Sequence, residues 1–279
     1  MTTVWMRRAA FTGRWLGLSL YLGFALFPLY WLLKIALTPT RLLYSEGVRL
    51  WPSATTLAHF AQVWTTTQFP RYFWNSAQVA LGAATLATLA GALAGYALSR
   101  WEFRGKASVS FVLLVTQMFA VMLMIVPLNR MLSGVGLNDS LLGLAVVYAA
   151  LNVPFATFLM QSFVDAIPKD LEEAAMIDGC TRFQAMVKVV FPLTLPGLAA
   201  TAGFAFTAAW SELFLALVLI NREADKTIPP ALLSFITKFS VDWGQMAAAS
   251  VLLLIPVCFF FAFVQRYLVA GLTSGAVKG

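Results

Sequence analysis

The stretch "FWNSAQVALGAATLATLAGALAGYALSRWEFRGK", Phe73 to Lys106, decides the fold. From Phe73 to Leu98 it contains no Asp, Glu, Lys or Arg. At 1.5 Å per residue, about 20 such residues cross the hydrocarbon of a bilayer as a helix. Ala83, Ala87, Gly91 and Gly95 recur every four residues and so share one face of that helix. Small side chains let two backbones approach, and van der Waals contact is the main attraction between helices in lipid. The run therefore reads as a membrane span near the centre of a bundle. Arg100, Arg104 and Lys106 follow it at once and mark the side on which it emerges.

The rest of the chain agrees. It is 60% hydrophobic, 14% aromatic and only 11% charged, with a mean hydropathy of +0.80. A soluble domain needs far more polar surface than that. The expected class is an all-α integral membrane protein with six transmembrane helices at about 15–37, 73–98, 107–127, 140–164, 198–220 and 246–268. Residues 1–14 and 269–279 are terminal segments, and 15–268 is one six-span domain. The first run follows Arg7 and Arg8, as a signal peptide does. It is too long for one, and bulky Phe27, Tyr30 and Trp31 occupy the place of a small-residue cleavage site, so a retained helix is expected.

Basic residues set the orientation. Arg7, Arg8 and Arg14 precede the first span, and Arg100, Arg104 and Lys106 follow the second. The loop "LNRMLSGVGLND" on the other side carries only Arg130. Both termini and residues 165–197 are then cytoplasmic, and 38–72 and 221–245 are external. The net charge of +7 is explained by this asymmetry and calls for no nucleic acid. Cys180 and Cys258 form no metal spacing. No G-x-x-x-x-G-K-[ST] loop is present, and His59 is the single histidine, so neither ATP binding by that route nor a hydrolytic or metal site is expected. The chain reads as no enzyme; its work is binding, gating or transport.

One segment departs from this oily background. "PKDLEEAAMIDGCTRFQAMVKVVFP", Pro168 to Pro192, holds Asp170, Glu172, Glu173 and Asp178, with Asp165 just before it, out of twelve acids in the chain. Pro168 suits a first helical turn, where the acids that follow meet the positive end of the helix dipole. Gly179 suits a left-handed stop. Thr181 and Gln184 form a capping-box pair for a second helix, which Pro192 ends or kinks. A helix–turn–helix on the cytoplasmic side is expected. Helices that bind anionic lipid favour Lys and Arg, so this acidic one suits a protein partner better.

These residues carry a family resemblance. Glu173, Ala174, Ala175 and Gly179, with Val189, Phe191 and Pro192 at the end, resemble the EAA loop of bacterial ABC importer permeases. "GYALSRWEFRGK", "QMF" at Gln117–Phe119, "WGQMAAASVL" and "QRYLVAGLTSGAVKG" are similar to the smaller permease of maltose-type carbohydrate importers. The resemblance implies a type I ABC importer permease fold with a cytoplasmic coupling helix in the bacterial inner membrane. It implies a second homologous permease subunit, two ATP-binding subunits that carry the ATP and Mg, an external solute-binding protein or lipoprotein, and a carbohydrate substrate. Glu173, Ala174, Ala175, Asp178, Gly179 and Pro192 are then the ATPase-coupling residues. Gly275, Val277, Lys278 and Gly279, in the tail, are expected at the ATPase interface. Only Glu173 of the five acids matches the motif, so the other four read as solvated helix surface.

Glu212 lies within the fifth run, in "AAWSELFLAL". A carboxylate in hydrocarbon costs about 2.5–3.5 kcal/mol, so it faces protein or water. Two readings stay open: Glu212 with Trp210 and Ser211 lines the substrate path, joined by Gln117 and Asn152, or Glu212 holds helices together by hydrogen bonds. Ser211 departs from the Asn that family permeases often have there. A permease for glycerol phosphate or a polyol, and an ATPase-independent channel or secondary transporter, are the alternative functions.

Overall fold

The computed structural model describes residues 2–45, 47–238 and 240–275, with all their side chains but those of 2–10, 12, 263 and 266–275. Its contacts divide the chain into two units, Met1–Phe69 with Ser234–Leu254, and Pro70–Leu233 with Ile255–Gly279.

The first unit holds α1 (Thr2–Leu37), α2 (Thr40–Ser45), α3 (Ala58–Thr66) and the start of α14 (Trp243–Gly275). Residues 13–29 of α1 leave their side chains uncovered, with Leu16, Tyr21 and Phe24 all exposed. A folded surface in water would not keep such a face. Around its end, His59 of α3 is buried and its Nε2 lies 3.0 Å from Thr38 O. Gly244 lies against the imidazole, where any larger side chain would collide. Lys34 is 9% exposed, with its ammonium 4.4 Å from the centre of the Trp31 ring.

The second unit is the bundle. It contains α4 (Phe69–Arg100, from Pro70), α5 (Lys106–Met118), α6 (Val121–Gly134), α7 (Leu141–Asp165), α8 (Asp170–Ile177), α9 (Arg182–Ala185), α10 (Phe191–Leu193), α11 (Leu195–Trp210), α12 (Phe214–Leu219), α13 (Ile228–Ala231) and the rest of α14. The small-residue face of α4 meets α7. A Cβ on Gly95 would stand 2.7 Å from Thr157 O and 2.9 Å from Met160 Cβ, and one on Gly91 would strike Ala156. The two backbones touch because these positions have no side chain. α11 packs along the same helix.

Among the described residues four helices are long and apolar enough to cross a membrane, and six spans result if two bent pairs count as one each. The third expected span is not continuous: α5 and α6 meet at 105° across Phe119 and Ala120, which are extended. The fifth, expected over 198–220, ends as a helix at Trp210 and resumes at Phe214. Non-helical backbone at membrane depth is tolerated where it is buried in protein or lines a water-filled cavity.

Candidate functional site

Two places collect the residues singled out in the sequence. The first is the turn between α8 and α9. Gly179 adopts φ +93°, its N–H donates to Met176 O at 3.1 Å, and Cys180 N–H reaches back to Ala175 O at 3.0 Å. This pair of bonds closes the helix through a left-handed residue. The capping box forms as expected: Gln184 N–H donates to Thr181 Oγ1 at 3.3 Å, and Thr181 N–H to Gln184 Oε1 at 2.9 Å. The second helix passes through a π turn, Met186–Val190, before Pro192, which has no N–H to continue the ladder. The axis then bends by 76° into α11.

α8 has two unlike faces. Asp170, Glu173, Ala174 and Ile177 are exposed, at the spacing of one helix side, and Ile177 is 87% exposed. Asp178 and Gly179 are exposed at its end, and Ala175 is partly covered. Glu172 points the other way and is buried. Its carboxylate accepts from Arg100 Nε and, at 2.9 Å, from Tyr96 OH. Asp165 accepts from Ser99 Oγ. The expectation that every acid but Glu173 is solvated surface is therefore corrected for Glu172 alone; Asp165 is exposed and takes the Ser99 bond from the surface. Glu172 faces α4, and nothing in the local sequence marks that.

The second place is a cavity of ≈ 310 Å³. Val121 and Met122 line it from the start of α6, Tyr148, Leu151 and Asn152 from α7, Ala208 and Ala209 from the end of α11, and Glu212, Phe214 and Leu215 from the break before α12. Both helix breaks thus border one space. Glu212 explains its own break. Its carboxylate accepts from Leu215 N–H at 3.0 Å, from Ala216 N–H at 3.2 Å and from Tyr148 OH at 2.6 Å. A side chain that takes these donors leaves the preceding carbonyls without helical partners, so the chain unwinds over 211–213 and restarts. Asn152 donates to Tyr148 O at 2.8 Å and is among the lining residues.

Not every residue grouped with Glu212 arrives there. The Trp210 ring is 1% exposed, edge-on to Phe73 and stacked on Phe206, each at 5.5 Å, so it offers no face to the cavity. Ser211 is exposed and donates to Thr207 O at 2.8 Å. Gln117 is exposed near the end of α5 and is not among the lining residues. Tyr148 was not picked out in the sequence; an aromatic inside an apolar run carries no local signal of its role. Gly275 is the last residue of α14, while Val277, Lys278 and Gly279 lie outside the described residues.

At the other end of α4 and α7 a polar clasp holds residues 221–228. Asp139, at φ +52°, accepts from Asn221 N–H at 2.7 Å and Arg222 N–H at 3.1 Å. Its partial burial would raise the carboxyl, but these two N–H groups and the Arg222 guanidinium outweigh that and hold it below its ordinary value. Glu223 is likewise depressed, by hydrogen bonds from Lys226 and then from Tyr72, against a smaller opposing effect of burial. Asn75 Nδ2 donates to Ala224 O and Lys226 O, both at 2.9 Å.

Comparison with known proteins now gives these sites a context. The family model described as "Binding-protein-dependent transport system inner membrane component" matches residues 87–274. The chain is 37% identical to the diacetylchitobiose uptake system permease protein DasC of Streptomyces coelicolor, covering 98% of this chain and 100% of that one. It is 37% identical to the trehalose transport system permease protein SugB of Mycobacterium tuberculosis, covering 94% and 95%. Against the sulfoquinovosyl glycerol transport system permease protein SmoH of Agrobacterium fabrum the identity is 34%, covering 95% and 93%. The fold matches a chain of a bacterial ABC transporter involved in alginate import, with a TM-score of 0.80 at 22% identity over 93% of this chain and 96% of that one. The chain is a multi-pass membrane protein and belongs to the inner-membrane permease family of binding-protein-dependent ABC transport systems.

Proposed function

We propose that this chain is one of two permeases in an ATP-driven importer of a sugar or oligosaccharide. One observation carries the reading. α8 is closed at its C-terminal end by hydrogen bonds across Gly179, is anchored on one face through Glu172, and leaves Glu173, Ala174 and Ile177 uncovered on the other. That is an anchored docking element whose other face is left open among the described residues. The family has it engage an ATPase subunit, and ATP with Mg belongs to two such subunits. The α8 end of the bundle is then cytoplasmic, with both termini on that side, and the 269–279 tail runs toward the ATPases. Residues 221–245 face the solute-binding protein that delivers substrate. Closure of the ATPase pair moves α8, the spans rock, and the cavity changes the side to which it opens, a two-state change biased by ATP and by the loaded binding protein.

The names of the relatives support a carbohydrate or sugar derivative: diacetylchitobiose, trehalose and sulfoquinovosyl glycerol. The cavity suits such a substrate. Its polar groups are Tyr148, Asn152 and Glu212, which bond hydroxyls, and no Lys or Arg is among its lining residues. A second homologous permease completes the path.

The test is gentle purification of the tagged chain with its native operon partners. An ATPase, a second permease and a solute-binding protein are expected to accompany it. A single species that moves substrate alone would overturn the reading in favour of a channel or secondary transporter. In the assembled complex Gly179→Asp is expected to insert normally but to uncouple ATP hydrolysis from transport. A Cβ on Gly179 would meet nothing within 4 Å, so the variant strains the φ +93° turn that ends α8 rather than the packing.

A further inference from the structure

Docking alone moves nothing; the displacement of α8 must reach the cavity. A helix of 8 residues between two turns has little stability or stiffness of its own. Its attachment to the bundle therefore decides how motion travels. That attachment is specific. The Arg100 and Glu172 side chains are 5% and 8% exposed. Arg100 Nε donates to one Glu172 oxygen, Tyr96 OH donates to the other, and Arg100 Nη2 donates to Ile167 O at 2.9 Å. At the adjacent position of α4, Ser99 Oγ donates to Asp165 at the end of α7. The last turn of α4 is thus tied to the end of α7, to the link after it, and to α8. Tyr96, Val164, Met186 and Val190, with Ile167 and Phe191 against them, form a dry apolar cluster around it.

A buried ion pair is a poor source of stability, because packed apolar residues of similar size often serve as well. What it supplies is direction. The guanidinium is a planar fork whose donors point along fixed lines, so this pair holds α8 at one angle to α4. α4 and α7 already act together, since Gly91 and Gly95 let their backbones touch. α7 then runs from Asp165 to Tyr148 on the cavity wall, about 25 Å at 1.5 Å per residue.

We propose that the buried Arg100–Glu172–Tyr96 network is the mechanical link that passes movement of α8 into α4 and α7 and so to the cavity. Arg100 and Glu172 are positioning residues of the transport cycle. Their task is separate from that of Glu173 and Gly179, which serve engagement of the ATPase. The proposal rests on reading α8 as the docking helix and adds the path by which docking is felt.

The test uses the purified complex in proteoliposomes with Ala208→Cys as a reporter in the cavity and Cys180→Ser with Cys258→Ser to remove the native thiols. Three quantities are read: ATPase retained on the permease, ATP hydrolysis, and the change in labelling of the reporter by a polar maleimide when ATP and vanadate are added. The parent should show a labelling change of severalfold. Glu172→Gln is expected to keep the ATPase bound and hydrolysing while losing most of that change. Arg100→Lys, which keeps the charge but not the fork to Ile167 O, is expected to give an intermediate response. A full response in Glu172→Gln overturns the link. So does loss of the ATPase from that variant, since the network would then serve docking. If Glu172→Gln does not assemble, Arg100→Lys is judged by the same readings, and failure of both to assemble reduces the network to a folding role and overturns the proposal. If no ATPase accompanies the parent, the docking reading itself fails, an outcome distinct from all of these.

Discussion

Glu212 shows how one residue can look functional and turn out to be architectural as well. Its carboxylate takes the place of a helix cap for α12, with Leu215 and Ala216 N–H as donors and the Tyr148 hydroxyl as a third. A hydrogen bond to a charged group contributes about 1.5–3 kcal/mol, and a neutral one about half that. Glu212→Gln keeps an acceptor oxygen but loses the charge. It is expected to lower the stability of the purified complex by about 1–3 kcal/mol, read as a fall in thermal unfolding temperature in detergent. An unchanged unfolding temperature together with a large change in substrate affinity would leave Glu212 as a path-lining group alone. The cap was not legible beforehand, because Tyr148 stands 64 positions away. The same holds for Glu172, which local reading groups with the solvated acids; its partner Arg100 is 72 positions away.

Among elements, α4 was the most legible and α5–α6 the least. The four-residue spacing of Ala83, Ala87, Gly91 and Gly95 states that one face is smooth, and Ala83 and Ala87 are indeed 0% exposed. A large side chain at Gly95 has no room, since Thr157 O and Met160 already stand under 3 Å from where a Cβ would be. Gly95→Leu is expected to spread α4 from α7, at a cost of roughly 1–3 kcal/mol or more, and to appear as aggregation or a lost monodisperse peak in size-exclusion chromatography. Gly82→Ala, whose Cβ would meet Ala145 at an ordinary 3.6 Å, should behave as the parent. The break at Phe119–Ala120 was invisible for a physical reason. Hydropathy counts apolar residues and registers helix breakers, and this break contains neither Gly nor Pro. The π turn before Pro192 was closer to legible, because the missing N–H of proline announces a disturbed ladder.

At the scale of the whole bundle unit, opposite ends of α4 and α7 are held by different means. At the α8 end the Arg100–Glu172 tie is buried. At the 221–228 end the ties are half-exposed: the Arg222 side chain is 63% exposed and that of Glu223 55%, so solvent screens them. Asp139 and Glu223 both have carboxyls depressed below their ordinary values of 3.8 and 4.5. A depressed carboxyl contributes stability above its unfolded value and loses it as the pH falls through the folded one. The clasp should therefore hold at neutral pH and release below about pH 4. Limited proteolysis with an acid-active protease, or amide exchange over 221–228 across that range, is expected to show this segment opening before the α8 end. Equal protection of both ends down to pH 2 would contradict it.

What the sequence determined by itself was whatever depends on composition or on neighbours along the chain. Composition makes the chain a membrane protein, and runs of apolar residues place its spans to within a few positions. The glycine stop at Gly179 and the Thr181–Gln184 box are local hydrogen bonds and formed as read. The EAA pattern and the comparisons agree on the family. Only the tertiary structure decided which acids are buried, where two spans break, and that both breaks and Glu212 border one cavity. Those outcomes depend on partners 64 to 76 positions apart, and in lipid a helix satisfies its own backbone, so nothing within a single span reveals which neighbour its polar side chains will meet.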